Sequence, residues 1–158
     1  MKNIYLLSAL ILTLITTSCK NQNNEIINGT IYVKLIELGS LYKTSEEKIN
    51  ILKNEIEVFD LSESNESEKY YYNYYKLLFK KNLADKPCFL IKNENDRIKK
   101  IFCSLADFTK IEPLLLDLDK RSEKINLRLK VKKINESIYF ANEIISVKKV
   151  EGKTEWSK

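Results

Sequence analysis

Histidine is absent from the 158 residues. General acid–base work through an imidazole, a serine triad of the usual kind and the common zinc ligand sets are therefore closed to this chain. Glycine occurs three times, at Gly29, Gly39 and Gly152, too few and too far apart for a loop that cradles phosphate. The two prolines, Pro87 and Pro113, are also isolated, and neither a Pro/Gly-rich linker nor an internal repeat divides the chain. The longest apolar stretch runs from Ile4 to Ile15. At about 1.5 Å per residue its twelve residues reach roughly 18 Å, short of the roughly 30 Å hydrocarbon core of a bilayer, so it cannot span.

What is present at the start is a processing signal. Lys2 precedes that apolar stretch, and the small residues Thr16, Thr17 and Ser18 lead into Cys19, the arrangement of a secretory leader. A cysteine directly after small residues resembles the lipobox of bacterial lipoproteins, with Thr16 standing where that pattern commonly has leucine. The resemblance covers residues 1–19 and implies that Cys19 is acylated, palmitate included, and becomes the first residue of the mature chain. It implies a membrane partner reached through the acyl chains on Cys19, since two chains at about 0.8 kcal/mol per buried methylene hold firmly. Lys20 after the cysteine resembles lipoproteins sent to the outer membrane, so the expected address is the bacterial cell envelope. An ordinary cleaved leader with a cysteine nearby is the competing reading.

Removing residues 1–18 leaves 26 basic and 22 acidic residues, one domain's worth of chain. The expected layout is a leader over 1–18, a polar, Asn-rich tether over 19–28, a single domain over 29–151 and a tail over 152–158. Charge is uneven. From Lys20 to Glu68 there are 5 basic and 10 acidic residues, and from Lys69 to Lys158 there are 21 and 12. A basic half attracts phosphate-rich partners, nucleic acid or lipid head groups among them. Nucleic acid is the less available of these in an exported protein, and a solvated basic surface with no ligand is commoner than either.

The element pattern begins with "GTIYVKLIEL" from Gly29 to Leu38, alternating and β-branched, a strand. "TSEEKINILKNEIEVFD" offers a capping box of Thr44 with Glu47 and an apolar stripe of Ile49, Leu52, Ile56 and Phe59, an amphipathic helix. Asn65 with Glu68 caps a second helix running to about Asn82. That helix holds five of the nine tyrosines between Tyr70 and Tyr75. Tyr71, Tyr74, Tyr75 and Leu78 share one face, so the spacing predicts core packing; exposed rings that stack on a sugar or a partner are the alternative.

"PCFLIKNENDRIKKIFCS" is a hairpin turning at Asn95 and Asp96. If those two residues form the loop, Cys88 faces Cys103 at a Cα separation of about 5 Å. With Cys19 acylated the two remaining cysteines make an even number in an oxidising compartment, so Cys88 and Cys103 are a disulfide candidate; two buried thiols are the alternative, reached by a one-residue slip. The next segment, with Asp107 as cap, predicts one short helix or two broken near Glu112. "KINLRLKVKKI" alternates Ile125, Leu127, Leu129 and Val131 inward with Asn126, Arg128, Lys130 and Lys132 outward, a half-buried strand. A last strand or bent pair follows from Ser137 to Val150.

The expected fold is α+β with a mainly antiparallel sheet. Its order resembles an OB-fold barrel with two helices inserted after the first strand. That resemblance implies a surface of the kind OB-folds use for oligonucleotides and oligosaccharides, here at Arg128, Lys130 and Lys132. Lysines that merely blunt an exposed strand face are the competing reading.

For chemistry, the densest carboxylates are Asp117 and Asp119 with Glu112 and Glu123. Such a group can hold a cation or flank a glycosidic bond, but adjacent Lys120, Arg121 and Lys124 make it read as a solvated helix end. Cys88 as a nucleophile lacks a base. No catalytic residue, metal or cofactor is expected. The reading is an anchored, non-enzymatic module that binds a protein, envelope polymer or small ligand. The alternatives are a carboxylate-based hydrolase of envelope glycans and an immunity-type inhibitor of a toxic partner.

Overall fold

The structure, a computed structural model, describes residues 24–33, 40–62 and 64–154. Strand β1 covers Asn24–Val33, helix α1 Glu46–Val58, helix α2 Glu66–Lys80, β2 Cys88–Asn93, β3 Ile98–Phe102, helix α3 Leu105–Leu116, β4 Glu123–Lys133 and β5 Ile138–Glu151. The five strands close into a barrel in the order β1-β2-β3-β5-β4. Among the described residues only β3 and β5 pair in parallel; the other four contacts are antiparallel. This is an α+β, OB-like barrel with α1 and α2 inserted between its first two strands.

The barrel closes because β4 alternates strictly. Ile125, Leu127, Leu129 and Val131 point into the core at 0–3% exposure while their neighbours face out. Strand β5 slips by one residue twice against β4, between Arg128 and Leu129 and between Lys130 and Val131. Extra residues of this kind bend a strand and sharpen its twist, as barrel closure requires. Gly29 serves β1 at its crossing between β2 and β4, opposite both Asn93 and Leu127. A Cβ there would lie 2.8 Å from Ile91 Cδ1 and 3.0 Å from the Lys92 carbonyl oxygen, so the close approach of two strands requires glycine.

Helix α3 plugs one end of the barrel with Phe108, Ile111 and Leu115, all buried with the inward residues of the strands. It is one uninterrupted helix, not two: Pro113 sits inside it. Its cap is Ser104 rather than Asp107. The Asp107 N–H donates to Ser104 Oγ at 3.1 Å, and that hydroxyl donates to Asp107 Oδ2 at 2.8 Å. Ser45, not Thr44, occupies the α1 N-cap and makes no side-chain cap bond. The Asn65–Glu68 capping box of α2 is present in both directions at 3.0 Å.

A second core lies outside the barrel. Cys88, Phe102 and Ile138, on the outward face of β2, β3 and β5, pack under Ile56 of α1 and Tyr75 and Leu78 of α2. Tyr74 is half-buried and Tyr71 is 45% exposed. The stripe therefore points inward over its C-terminal turns only, and Tyr71, two turns ahead of Leu78, is not covered. Tyr72 turns instead onto Phe59, stacking at 3.4 Å between centroids.

Two boundaries move. Residues 24–28, expected in the tether, are strand: Asn24 pairs with Lys132 and Asn28 with Arg128. An Asn-rich segment reads as solvated because its side chains gain little from burial, yet a ladder is satisfied by the backbone. Residues 152–154, expected in a loose tail, are docked. The Gly152 N–H donates to the Ser122 carbonyl at 2.8 Å and the Thr154 N–H to the Lys120 carbonyl at 3.1 Å, with Thr154 buried. Trp156, Cys19 and the leader lie outside the described residues.

Candidate functional site

The outward residues of β4 do not act as one surface. Arg128 lines an open groove of about 460 Å³, together with Asn28 and Thr30 of β1, Asn93 at the end of β2, Asn126 of β4, and Ser146 and Lys148 of β5. Register explains the meeting: Asn28 stands opposite Arg128, Thr30 opposite Asn126, and Arg128 opposite Ser146. Lys130 stands between Ile26 and Glu143. Lys132 lines a different groove of about 270 Å³ with Lys81, Lys86 and Phe140. Of the expected row Arg128, Lys130 and Lys132, the structure thus assigns only Arg128 to the central groove.

The groove is preset by internal hydrogen bonds. Thr30 Oγ1 donates to Asn126 Oδ1 at 2.8 Å, and Asn28 Nδ2 donates to Glu94 Oε1 at 2.9 Å. Lys92, at its edge, pairs with Asp96 at 2.9 Å. Among the described residues no acid pairs with Arg128 or Lys148, so both cations face solvent with their donors available. Past Lys92 the surface continues into a neighbouring depression lined by Tyr32, Lys124 and Lys153. The Lys92 ammonium lies 5.8 Å from the Tyr32 ring centroid. The whole is an elongated run of amides, hydroxyls and cations on the sheet, with its two carboxylates already engaged, Glu94 by Asn28 and Asp96 by Lys92, an arrangement suited to hydrogen-bond an anionic, hydroxyl-rich ligand.

The face that OB-folds commonly use for oligonucleotides, outside strands 2 and 3, is in part closed by the inserted helices. Lys100 there is half-buried, its ammonium donating to Tyr74 Oη at 2.8 Å. Burial holds the Lys100 amine below the usual lysine range and pushes the Tyr74 phenol up.

The disulfide register is corrected. Cys88 stands opposite Phe102, not Cys103, and both cysteines are buried thiols. The loop has three residues, Glu94, Asn95 and Asp96, rather than two. Asn93 and Arg97 close it: the Asn93 N–H donates to the Arg97 carbonyl at 3.0 Å, and Asp96 alone takes a positive φ, 62°. A three-residue loop ending in a left-handed residue is a standard hairpin solution. It shifts every pairing by one, sending Cys88 to the outer core and Cys103 to the barrel core. Burial pushes the Cys88 thiol up to about 11 and the Cys103 thiol up to about 12, the opposite of what a nucleophile needs.

The carboxylates are spoken for by cations and turns. Asp117 and Glu123 converge on the Lys149 ammonium at 3.1 and 3.2 Å, and Glu112 faces Lys43 at 3.6 Å. Asp119 accepts from the Arg121 N–H and the Ser122 hydroxyl, which hold its carboxyl below the usual range. Among the described residues no three of His, Cys, Asp and Glu are grouped to hold a metal ion.

The chain matches no protein-family model, no curated protein and no solved structure.

Proposed function

We propose that the chain is a non-enzymatic binding module of the bacterial cell envelope, held at the outer membrane by acyl chains on Cys19, and that the Arg128 groove takes an anionic, hydroxyl-rich envelope polymer. The groove's composition carries the ligand reading: two cations unpaired by acid among the described residues, Arg128 and Lys148, set among five amide and hydroxyl side chains on four strands. A polymer fits better than a compact ligand because the surface is open and continues past Lys92 to Lys124 and Lys153. The address rests on the lipobox-like "TTSC" and the short apolar stretch before it. A carboxylate hydrolase is the weaker reading, since Asp117 and Glu123 share one lysine instead of facing across a cleft.

The experiment measures binding of the purified chain to a panel of acidic and neutral polysaccharides. Acidic chains should bind and neutral ones should not, and Arg128→Ala should weaken binding about tenfold, the loss of one charge-assisted contact. Equal binding of both classes, or a variant that binds as before, refutes the site. The address is tested separately: Cys19→Ala should lose membrane retention or processing, and a processed variant that stays on the membrane refutes it.

A further inference from the structure

The end of the barrel where β1 starts has a chemistry of its own. Its groove is rimmed by Lys81, Lys86 and Lys132 and floored by Leu83, Ile134 and Phe140, with no acid among its lining residues. Lys81 and Lys132 are exposed; Lys86 has Asp85 beside it at 3.2 Å. Asn24 is tied to this groove directly. It stands opposite Lys132, and its side-chain oxygen accepts from Asn142 Nδ2 at 2.7 Å, Asn142 being part of the groove's lining. The first residue of β1 and the lysine rim are therefore one place on the molecule.

Covalent geometry then limits how far that place can be from an anchor. Residue 24 follows residue 19 by five, and five residues reach at most about 18 Å even when fully extended. If Cys19 is acylated its acyl chains lie in the bilayer, so the Asn24 end cannot stand far from the headgroups. Arg128 lies four residues along β4 from Lys132, about 13 Å farther, and Lys124 eight residues, about 26 Å.

We propose that the barrel stands on the membrane by this end, with Lys81, Lys86 and Lys132 against the phosphates of anionic phospholipid headgroups and the Arg128 groove turned away. This rests on the acylation of Cys19 proposed above. The match is one of charge and of form. Basic side chains held within a Debye length of an anionic surface, about 8 Å at physiological salt, are drawn to it. Lysine stems lie along apolar surface while their ammonium groups reach out, and the floor of Leu83, Ile134 and Phe140 supplies that surface. Exposed Ile26, opposite Lys130, adds an apolar contact about 7 Å along the sheet from Lys132. The standing orientation is what a polymer-binding groove needs, since it presents the site to the envelope space and not to the lipid.

The test is amine acetylation of the full acylated chain in phosphatidylethanolamine–phosphatidylglycerol vesicles and in neutral detergent micelles. Peptide mass spectrometry reads each lysine and the mass of the N-terminal peptide. Modification of Lys81 and Lys132 should fall about fivefold in the vesicles and recover at high salt, while Lys120 and Lys153 at the far end should change less than about twofold. An acylated chain labelled equally at both ends, or protected at Lys120 and Lys153 instead, overturns the orientation and leaves the anchor standing. An N-terminal peptide without acyl mass overturns both.

Discussion

The two cores of this protein are built from different materials. The barrel interior is filled by Ile, Leu, Val and Phe, with Phe89, Phe108, Ile91 and Ile101 at 0–1% exposure. The outer core, between the helices and the barrel wall, is also mainly aliphatic, but Tyr72, Tyr74 and Tyr75 join it and the half-buried Lys100 lies beside it. Tyr74 and Lys100 meet through their polar ends at 2.8 Å. A closed barrel seals its contents and is filled mainly by apolar side chains, with Tyr139 its one buried tyrosine among the described residues, whereas a helix pair laid on a sheet has a rim, and tyrosine suits a rim because one end of it is apolar and the other wet. Stability and adaptability are thus separated: the barrel fixes the groove, and the helix layer covers what would otherwise be an exposed apolar face.

This contrast can be broken by mutation. Phe108→Ala opens a cavity in the sealed core and should cost about 4 kcal/mol, read by denaturant unfolding. Tyr75→Ala in the outer core should cost about 3 kcal/mol, less because solvent can enter the space it leaves. If Tyr75→Ala proves the more damaging of the two, the helix layer and not the barrel is the principal core.

The cysteines sharpen the same comparison, because each core holds one. Both thiols are raised by burial, Cys103 to about 12 and Cys88 to about 11. The sign follows from the unfolded state, where a thiol ionises near 9. Folding excludes the thiolate, so the stabilisation is complete below pH 9 and is lost as pH rises through 11 and 12. Alkylation of the native protein near pH 10 should modify Cys88 before Cys103, and both should react at once in denaturant without a reductant. A requirement for reductant would restore the disulfide and the register that goes with it.

The smallest effect belongs to the exposed part of the tyrosine run. Tyr70 is 73% exposed, and Tyr70→Ala should cost less than about 0.5 kcal/mol, as most surface substitutions do. A larger loss would mean that the outer core extends a turn farther along α2 than its burial shows.

The sequence was legible where a pattern is local. The alternation of β4 named its inward and outward residues, and Asn65 with Glu68 marked the start of α2, because each depends on neighbours a few positions away. The β2–β3 hairpin was legible as a hairpin but not in register: "NENDR" admits a two-residue or a three-residue loop, and the choice turns on a single left-handed residue, Asp96. Residues 24–28 were hidden by composition, since only Ile27 among them packs on the core and the polar Asn24, Glu25 and Asn28 are held by the backbone ladder to β4. The groove was legible only in part. Arg128 stands out as an outward cation, but Asn28, Thr30, Asn93 and Ser146 carry no signal of their own and become a site only when four strands bring them together.

The pairing of β1 with β4 has a consequence for how the chain comes to be folded. Asn24 and Asn142, joined by a side-chain hydrogen bond, are 118 residues apart in sequence. Contacts of such separation are slow to form, because a long loop of chain loses its freedom before the contact repays it. During synthesis β1 emerges before the other described strands, yet its neighbour β4 arrives only after both helices, the hairpin and α3 have passed. Barrel closure is therefore a late event, and until then β1 presents an open edge to whatever lies nearby. The polar Asn24, Glu25 and Asn28 on that waiting edge are a poor template for another chain's hydrophobic strand. The same composition that concealed this strand keeps it from pairing with the wrong one.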